Sequence, residues 1–161
     1  MKIKKEPIRI MQKHLQVLRK INGWTAEELG QKLGVTKQTI SNFENNKVEM
    51  TKTQYIALRT ILEYEMRIVD ENNVLKTVMY ILFYSPINCC DDEYENVSDA
   101  LNNIAAAAVG GVSGTPLSIL ATTILSPLKV LRGVNIEQAI SVMAYKWLEE
   151  LEEGDFENAE G

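Results

Sequence analysis

Lys37, Gln38, Ser41 and Asn42 are the residues of this chain whose types and spacing best suit joint chemistry. On a helix they fall on one face, and Ile40 and Phe43 fall on the opposite one. The face offers an ammonium, two carboxamides and a hydroxyl with no carboxylate among them. That is an equipment for recognition by hydrogen bonds, not for nucleophilic or acid–base work. No Gly-rich phosphate loop, HExxH or GxSxG occurs anywhere in the chain. His14 is the single histidine, has no cysteine or second histidine to complete a metal site, and reads as a helix-surface residue. Cys89 and Cys90 are adjacent and followed by Asp91, Asp92 and Glu93, which would raise a thiol pKa, so a structural role is expected of them. No catalytic residue, metal or cofactor is expected, and the chain does not read as an enzyme.

The elements that must carry this face are short helices with strong punctuation. Ile10, Leu15 and Leu18 recur at near-helical spacing and predict a helix over about 8–22, ended by Gly23. Thr25 caps the next helix and forms a capping box with Glu28, while Leu29 and Leu33 supply its buried side. Gly34 stops it, and Thr36 caps a third helix that carries the polar face. Two short helices about a tight Gly-containing turn form a helix-turn-helix unit. Thr51 caps a fourth helix bearing Tyr55, Ile56, Leu58, Ile61, Leu62 and Met66.

The run from Trp24 through Leu29, Gly30, Leu33, Gly34, Val35, Thr36, Ile40, Ser41 and Glu44 to Lys47 resembles the Cro and phage-repressor type, or Xre-like, helix-turn-helix family. With its flanking helices the resemblance covers about Gln12 to Arg67. It implies double-stranded DNA as the partner. Lys37, Gln38 and Asn42 would make the base-edge contacts, since a carboxamide pairs donor and acceptor with adenine N6 and N7 and lysine donates to guanine O6 and N7. Thr25, Thr36, Thr39 and Lys47 would hold phosphates and set register. Arg19 and Glu44 would form the ion pair that ties the first helix to the recognition helix. Two positions depart from the pattern: Ala26 stands where many members carry a phosphate-binding Gln, and Asn46 replaces the frequent Gly after the recognition helix. Asn tolerates the left-handed backbone, so that turn is expected to survive.

The charge is sorted along the chain. Of the net −5, residues 1–67 carry 13 Lys and Arg against 7 Asp and Glu, and residues 68–161 carry 4 against 15. A +6 half can neutralise phosphates, and a −11 half would be repelled by them. The expected division is therefore 1–67 as the helix-turn-helix domain, 68–148 as a helical oligomerisation or partner-binding domain, and 149–161 as an acidic tail. The fold class is all-α. In the second half, Leu75, Val78, Met79, Leu82 and Phe83 predict a helix ending at Ser85–Pro86. Residues 91–96 read as a solvated loop, Ser98 as the cap of the following segment, and Asn135 as the cap of a helix with Ile136, Ile140, Met143, Trp147 and Leu151 on one face.

Residues 100–128 contain no charge, yet Gly110, Gly111 and Pro116 interrupt them and Ala, Ser and Thr dilute them. That argues against membrane insertion and for a buried hairpin or a subunit contact. A composition of 45% hydrophobic and 24% charged residues excludes collagen-like, disulfide-framework and wholly disordered chains. With no apolar leader at Met1, a cytoplasmic location is expected. The function these features point to is a sequence-specific DNA-binding transcriptional regulator, a repressor of phage, mobile-element or antitoxin type that binds its operator as a homodimer. The alternative is a protein inhibitor or antitoxin whose acidic half binds a partner protein while the helix-turn-helix autoregulates.

Overall fold

The computed structural model describes residues 6–69, 74–85, 92–110, 116–142 and 146–151. Among them there are helices and no strand. The order is α1 (Glu6–Lys13), α2 (Leu15–Ile21), α3 (Ala26–Leu33), α4 (Lys37–Glu44), α5 (Lys52–Tyr64), α6 (Val74–Met79), α7 (Asp92–Gly110), α8 (Leu117–Leu125) and α9 (Ile136–Val142). Residues 146–151 are also helical. Two stretches widen into π-helical turns, Glu65–Val69 after α5 and Tyr80–Tyr84 after α6.

Local chemistry sets most of the boundaries. Thr25, Thr36 and Thr51 cap α3, α4 and α5, each hydroxyl accepting from the backbone N–H three residues on, and Thr25 and Thr51 complete capping boxes with Glu28 and Gln54. Asn135 accepts from the Gln138 N–H at 3.1 Å at the start of α9.

The two halves of the chain share one core. Leu15, Leu18, Ile40, Phe43, Leu58 and Leu62 from the first half join Leu75, Val78, Ile81, Val97, Leu101 and Ile104 from the second in a single buried cluster. α2 packs along α7, and α7 packs against α8.

Four sequence expectations are corrected. The helix read over 8–22 is two segments meeting at His14, whose ψ of 11° leaves the helical range although its backbone bonds still bridge the joint. His14 is not a surface residue: it is 4% exposed, and its Nε2 lies 2.7 Å from the Tyr94 hydroxyl. Position 14 shares the buried face of Met11, Leu15 and Leu18, and α7 covers that face. Residues 92–96, read as loop, form the first turn of α7, where Asp92, Glu93 and Glu95 complement the positive helix end. Ser98 therefore lies inside α7 instead of capping it, and its buried hydroxyl has no hydrogen-bond partner. Cys89 and Cys90 lie outside the described residues, as do Asp91, Met143 and residues 152–161 of the acidic tail.

Candidate nucleic-acid interface

The recognition face is built upward from the turn between α3 and α4. Gly34 ends α3 at φ +79°, a left-handed backbone that a β-carbon penalises. Gly30, one turn earlier, is needed for a different reason. A β-carbon there would stand 2.8 Å from the Val35 carbonyl oxygen and 3.2 Å from the Thr36 carbonyl carbon, so the turn can fold back over α3 only because the side chain is absent. Asn46, at φ +55°, makes the left-handed turn after α4.

α4 is held from below by Arg19. Its Nε donates to Glu44 Oε1 at 2.6 Å, its Nη2 to Glu44 Oε2 at 3.2 Å, and its Nη1 to the Trp24 carbonyl at 3.0 Å. The two side chains are 13% and 9% exposed, so this two-point contact fixes both the rotation and the height of α4 on α2. A second clamp was not foreseen from sequence. Gln12 is buried, donates to the Phe43 and Val48 carbonyls at 3.1 and 2.8 Å, and accepts from the Met50 N–H at 3.0 Å. It holds the chain that leaves α4, and as a polar residue in a helix beside apolar Met11 it gave no distinct signal. Ile40 and Phe43 are buried, and Trp24 is half-buried with the Lys32 ammonium 4.8 Å above its ring.

Lys37 and Gln38 are exposed, and Asn42 is half-buried one turn further on. Gln38 Nε2 donates to Asn42 Oδ1 at 3.0 Å. The pairing leaves Gln38 Oε1 as an acceptor and the Asn42 amide as a donor along one line of the helix. Thr36 Oγ1 accepts from the Thr39 N–H at 3.1 Å and lies 2.9 Å from Thr39 Oγ1. One of these two hydroxyl protons is used between them, and the other can be offered outward. Thr25 Oγ1 accepts from the Glu28 N–H at 3.1 Å and keeps its own proton for an external acceptor, and Lys47 is exposed beyond α4. Base-edge candidates thus lie along α4, and phosphate candidates stand at the two helix starts and past its end, which matches an α-helix laid in a major groove.

The helix-turn-helix family model matches residues 15–67. The antitoxin HipB of Escherichia coli strain K12 is 41% identical over 59 residues, which are 37% of this chain and 67% of that protein. The chain belongs to the helix-turn-helix family. The antitoxin HipB of Escherichia coli O6:H1 is 39% identical over 59 residues, 37% of this chain and 63% of its own length. The chain therefore spans about two thirds of the length of these relatives, and its second half lies outside the helix-turn-helix match. No solved structure matches the chain. Among the described residues no helix is long and apolar enough to cross a membrane, and no group of three His, Cys, Asp or Glu could hold a metal ion.

The helix-turn-helix of this chain is joined to its second half through a buried arginine. Arg59 on α5 is 1% exposed; it donates through Nε to Glu63 at 3.2 Å and through Nη1 to the Tyr55 hydroxyl at 3.1 Å. Its guanidinium lies 4.3 Å from the centre of the Phe83 ring and 5.0 Å from that of Trp147. Burial opposes the charge, but Tyr55, Tyr84 and Glu63 hold the Arg59 pKa above its ordinary value. Glu63 also accepts from the Tyr84 hydroxyl and from Arg67 Nε at 3.2 Å. Burial, opposed by Arg59 and aided by Glu63, pushes Tyr84 up to about 12.

Proposed function

We propose that the protein is a sequence-specific DNA-binding transcriptional regulator of the antitoxin type, which docks α4 in the major groove of its operator and acts as a repressor. The observation that carries this is the acid-free outer face of α4, presented by a turn that Gly30 makes possible and fixed by Arg19 and Glu44. Lys37, Gln38 and Asn42 read base edges, and Thr25, Thr36, Thr39 and Lys47 bind phosphates. One recognition helix covers too few base pairs for selectivity, so the operator is bound by a homodimer with half-sites about 34 Å apart. No catalytic step or cofactor is assigned. Residues 1–67 serve DNA, and residues 68–148 serve assembly or a partner.

Footprinting on DNA from the protein's own promoter region tests the reading. A protected pair of half-sites for the wild type, lost in the Gln38→Ala/Asn42→Ala chain, is expected; equal protection by both proteins would refute it.

A second reading, in which the acidic half binds a basic partner protein, draws support from the antitoxin names of the relatives and from the −11 charge of residues 68–161. A Gln38→Ala/Asn42→Ala chain that keeps its biological effect while losing DNA binding would select it.

A further inference from the structure

α8 is an unusually apolar helix that the fold covers on only one side. Its nine residues, Leu-Ser-Ile-Leu-Ala-Thr-Thr-Ile-Leu, include no charge, yet only Ala121 and Leu125 are buried. Leu117, Leu120 and Ile124 are half-buried, and Ile119 is 57% exposed. A helix that is apolar around most of its circumference belongs in a core, so the open side of α8 is a surface awaiting cover.

The composition of that open side is less polar than its residue names suggest. Ile119, Thr122, Thr123 and Ser126 are the exposed positions, at the i, i+3, i+4 and i+7 spacing of one helical stripe. Each hydroxyl on it already donates to a carbonyl of the same helix or of its last turn: Thr122 to Ser118 at 2.8 Å, Thr123 to Ile119 at 3.0 Å and Ser126 to Thr123 at 3.2 Å. With their protons turned inward, the threonines present methyl groups. Covering this stripe strips no donor of water, so it carries little of the desolvation cost that exposed polar residues normally add.

We propose that the exposed stripe of α8 is the face through which two copies of this chain associate, joined by the uncharged second half of α7. Charge decides the occupant. Residues 68–161 carry 15 acids against 4 bases, whereas residues 100–128 carry none of either. Two like-charged halves repel wherever acid meets acid, and the outer stripe of α8 is a surface on which a second copy can approach without placing acid on acid. A charged partner, or the acidic tail of the same chain, would gain nothing from a face that offers no countercharge. Isologous pairing needs a self-complementary patch, and an uncharged apolar stripe satisfies that against itself. A nine-residue helix is only about 13 Å long, too short to supply the roughly 800 Å² per partner of a standard interface. The contact would therefore have to extend onto α7, which packs against α8 and whose uncharged second half leaves Asn102, Asn103, Ala106 and Val109 exposed, Val109 by 65%.

The surface deepens the reading of the protein as a paired operator binder, but self-association is measured without DNA, so the two can fail separately. Sedimentation equilibrium of the full chain over about 1–100 µM should give a dimer. Ile119→Asp and Thr123→Glu place a carboxylate in the stripe and should each weaken dimerisation by about tenfold or more. Thr60→Glu is the matched control, an exposed threonine on α5 with the same backward hydrogen bond, to Ile56 at 2.8 Å, and should leave association unchanged. Circular dichroism identical to the wild type in all three variants establishes that the fold is intact; if one stripe variant unfolds, the other decides. A monomeric wild type across the range, stripe variants that associate as tightly as the wild type, or a wild type that instead co-sediments with phosphatidylcholine vesicles would each overturn the assignment.

Discussion

Gln38 and Asn42 hold each other by a single amide-to-amide bond, so on the proposed reading neither would contact a base independently of the other. Substituting either by Ala should cost about 1 to 3 kcal/mol on the cognate operator and much less on random DNA. Titrations of both variants on both DNAs check this, and equal losses would mean the face is not reading sequence. His14 gives the residue scale a pH signature. Burial, and secondarily the charge of Lys13, lowers its pKa from 6.5 to about 4. Between those values the unfolded chain binds the proton and the folded chain does not. Stability is then fully present above about 6.5 and falls as the pH drops toward 4, by roughly 3 kcal/mol for a shift of that size. Urea unfolding at pH 7 and pH 4.5 should show the loss, and a His14→Gln chain should show a smaller one.

At the scale of elements, the steric need at Gly30 and the conformational need at Gly34 separate cleanly. Gly30→Ala would drive a methyl into the Val35 carbonyl, which is backbone and cannot swing aside, and should cost about 1 to 3 kcal/mol. Gly34→Asn meets open space at a left-handed position and should cost well under 1 kcal/mol, because Asn tolerates that region. Melting temperatures of the two variants check the order. What the sequence revealed at this scale was local: Thr25, Thr36, Thr51 and Asn135 cap helices through bonds spanning three residues, which a string of residue types displays directly. The acidic run before Ser98 read as loop because acids are usually solvated, although the same acids favour a helix start. The π-helical turns at 65–69 and 80–84 left no pattern to find.

Across the whole molecule, the least legible features are those whose partners are far apart in sequence. His14 meets Tyr94, and Arg59 on α5 meets Phe83 and Trp147; nothing near either residue announces the other. Glu63 is the hinge of the Arg59 cluster, taking bonds from Arg59, Arg67 and Tyr84. Glu63→Gln leaves the buried guanidinium without its counter-charge and should destabilise the chain by about 3 to 5 kcal/mol. Denaturant unfolding followed by helix signal and by the fluorescence of Trp24 and Trp147, one in each half, should shift together as one cooperative transition.

The Arg59 cluster also bears on modularity. Helix-turn-helix units are attractive cassettes for building hybrid regulators, but this one cannot be cut at the edge of its family match. Arg59 would lose Phe83, Tyr84 and Trp147, His14 would lose Tyr94, and the buried Leu15 and Leu18 of α2 would lose the cover of α6 and α7. A transplant of residues 1–67 onto a foreign assembly domain should express poorly unless the apolar side chains it uncovers are first replaced by polar ones. A graft that carries residues 1–151 intact should retain operator binding, which makes the portable unit of this protein its shared core and not its recognition motif.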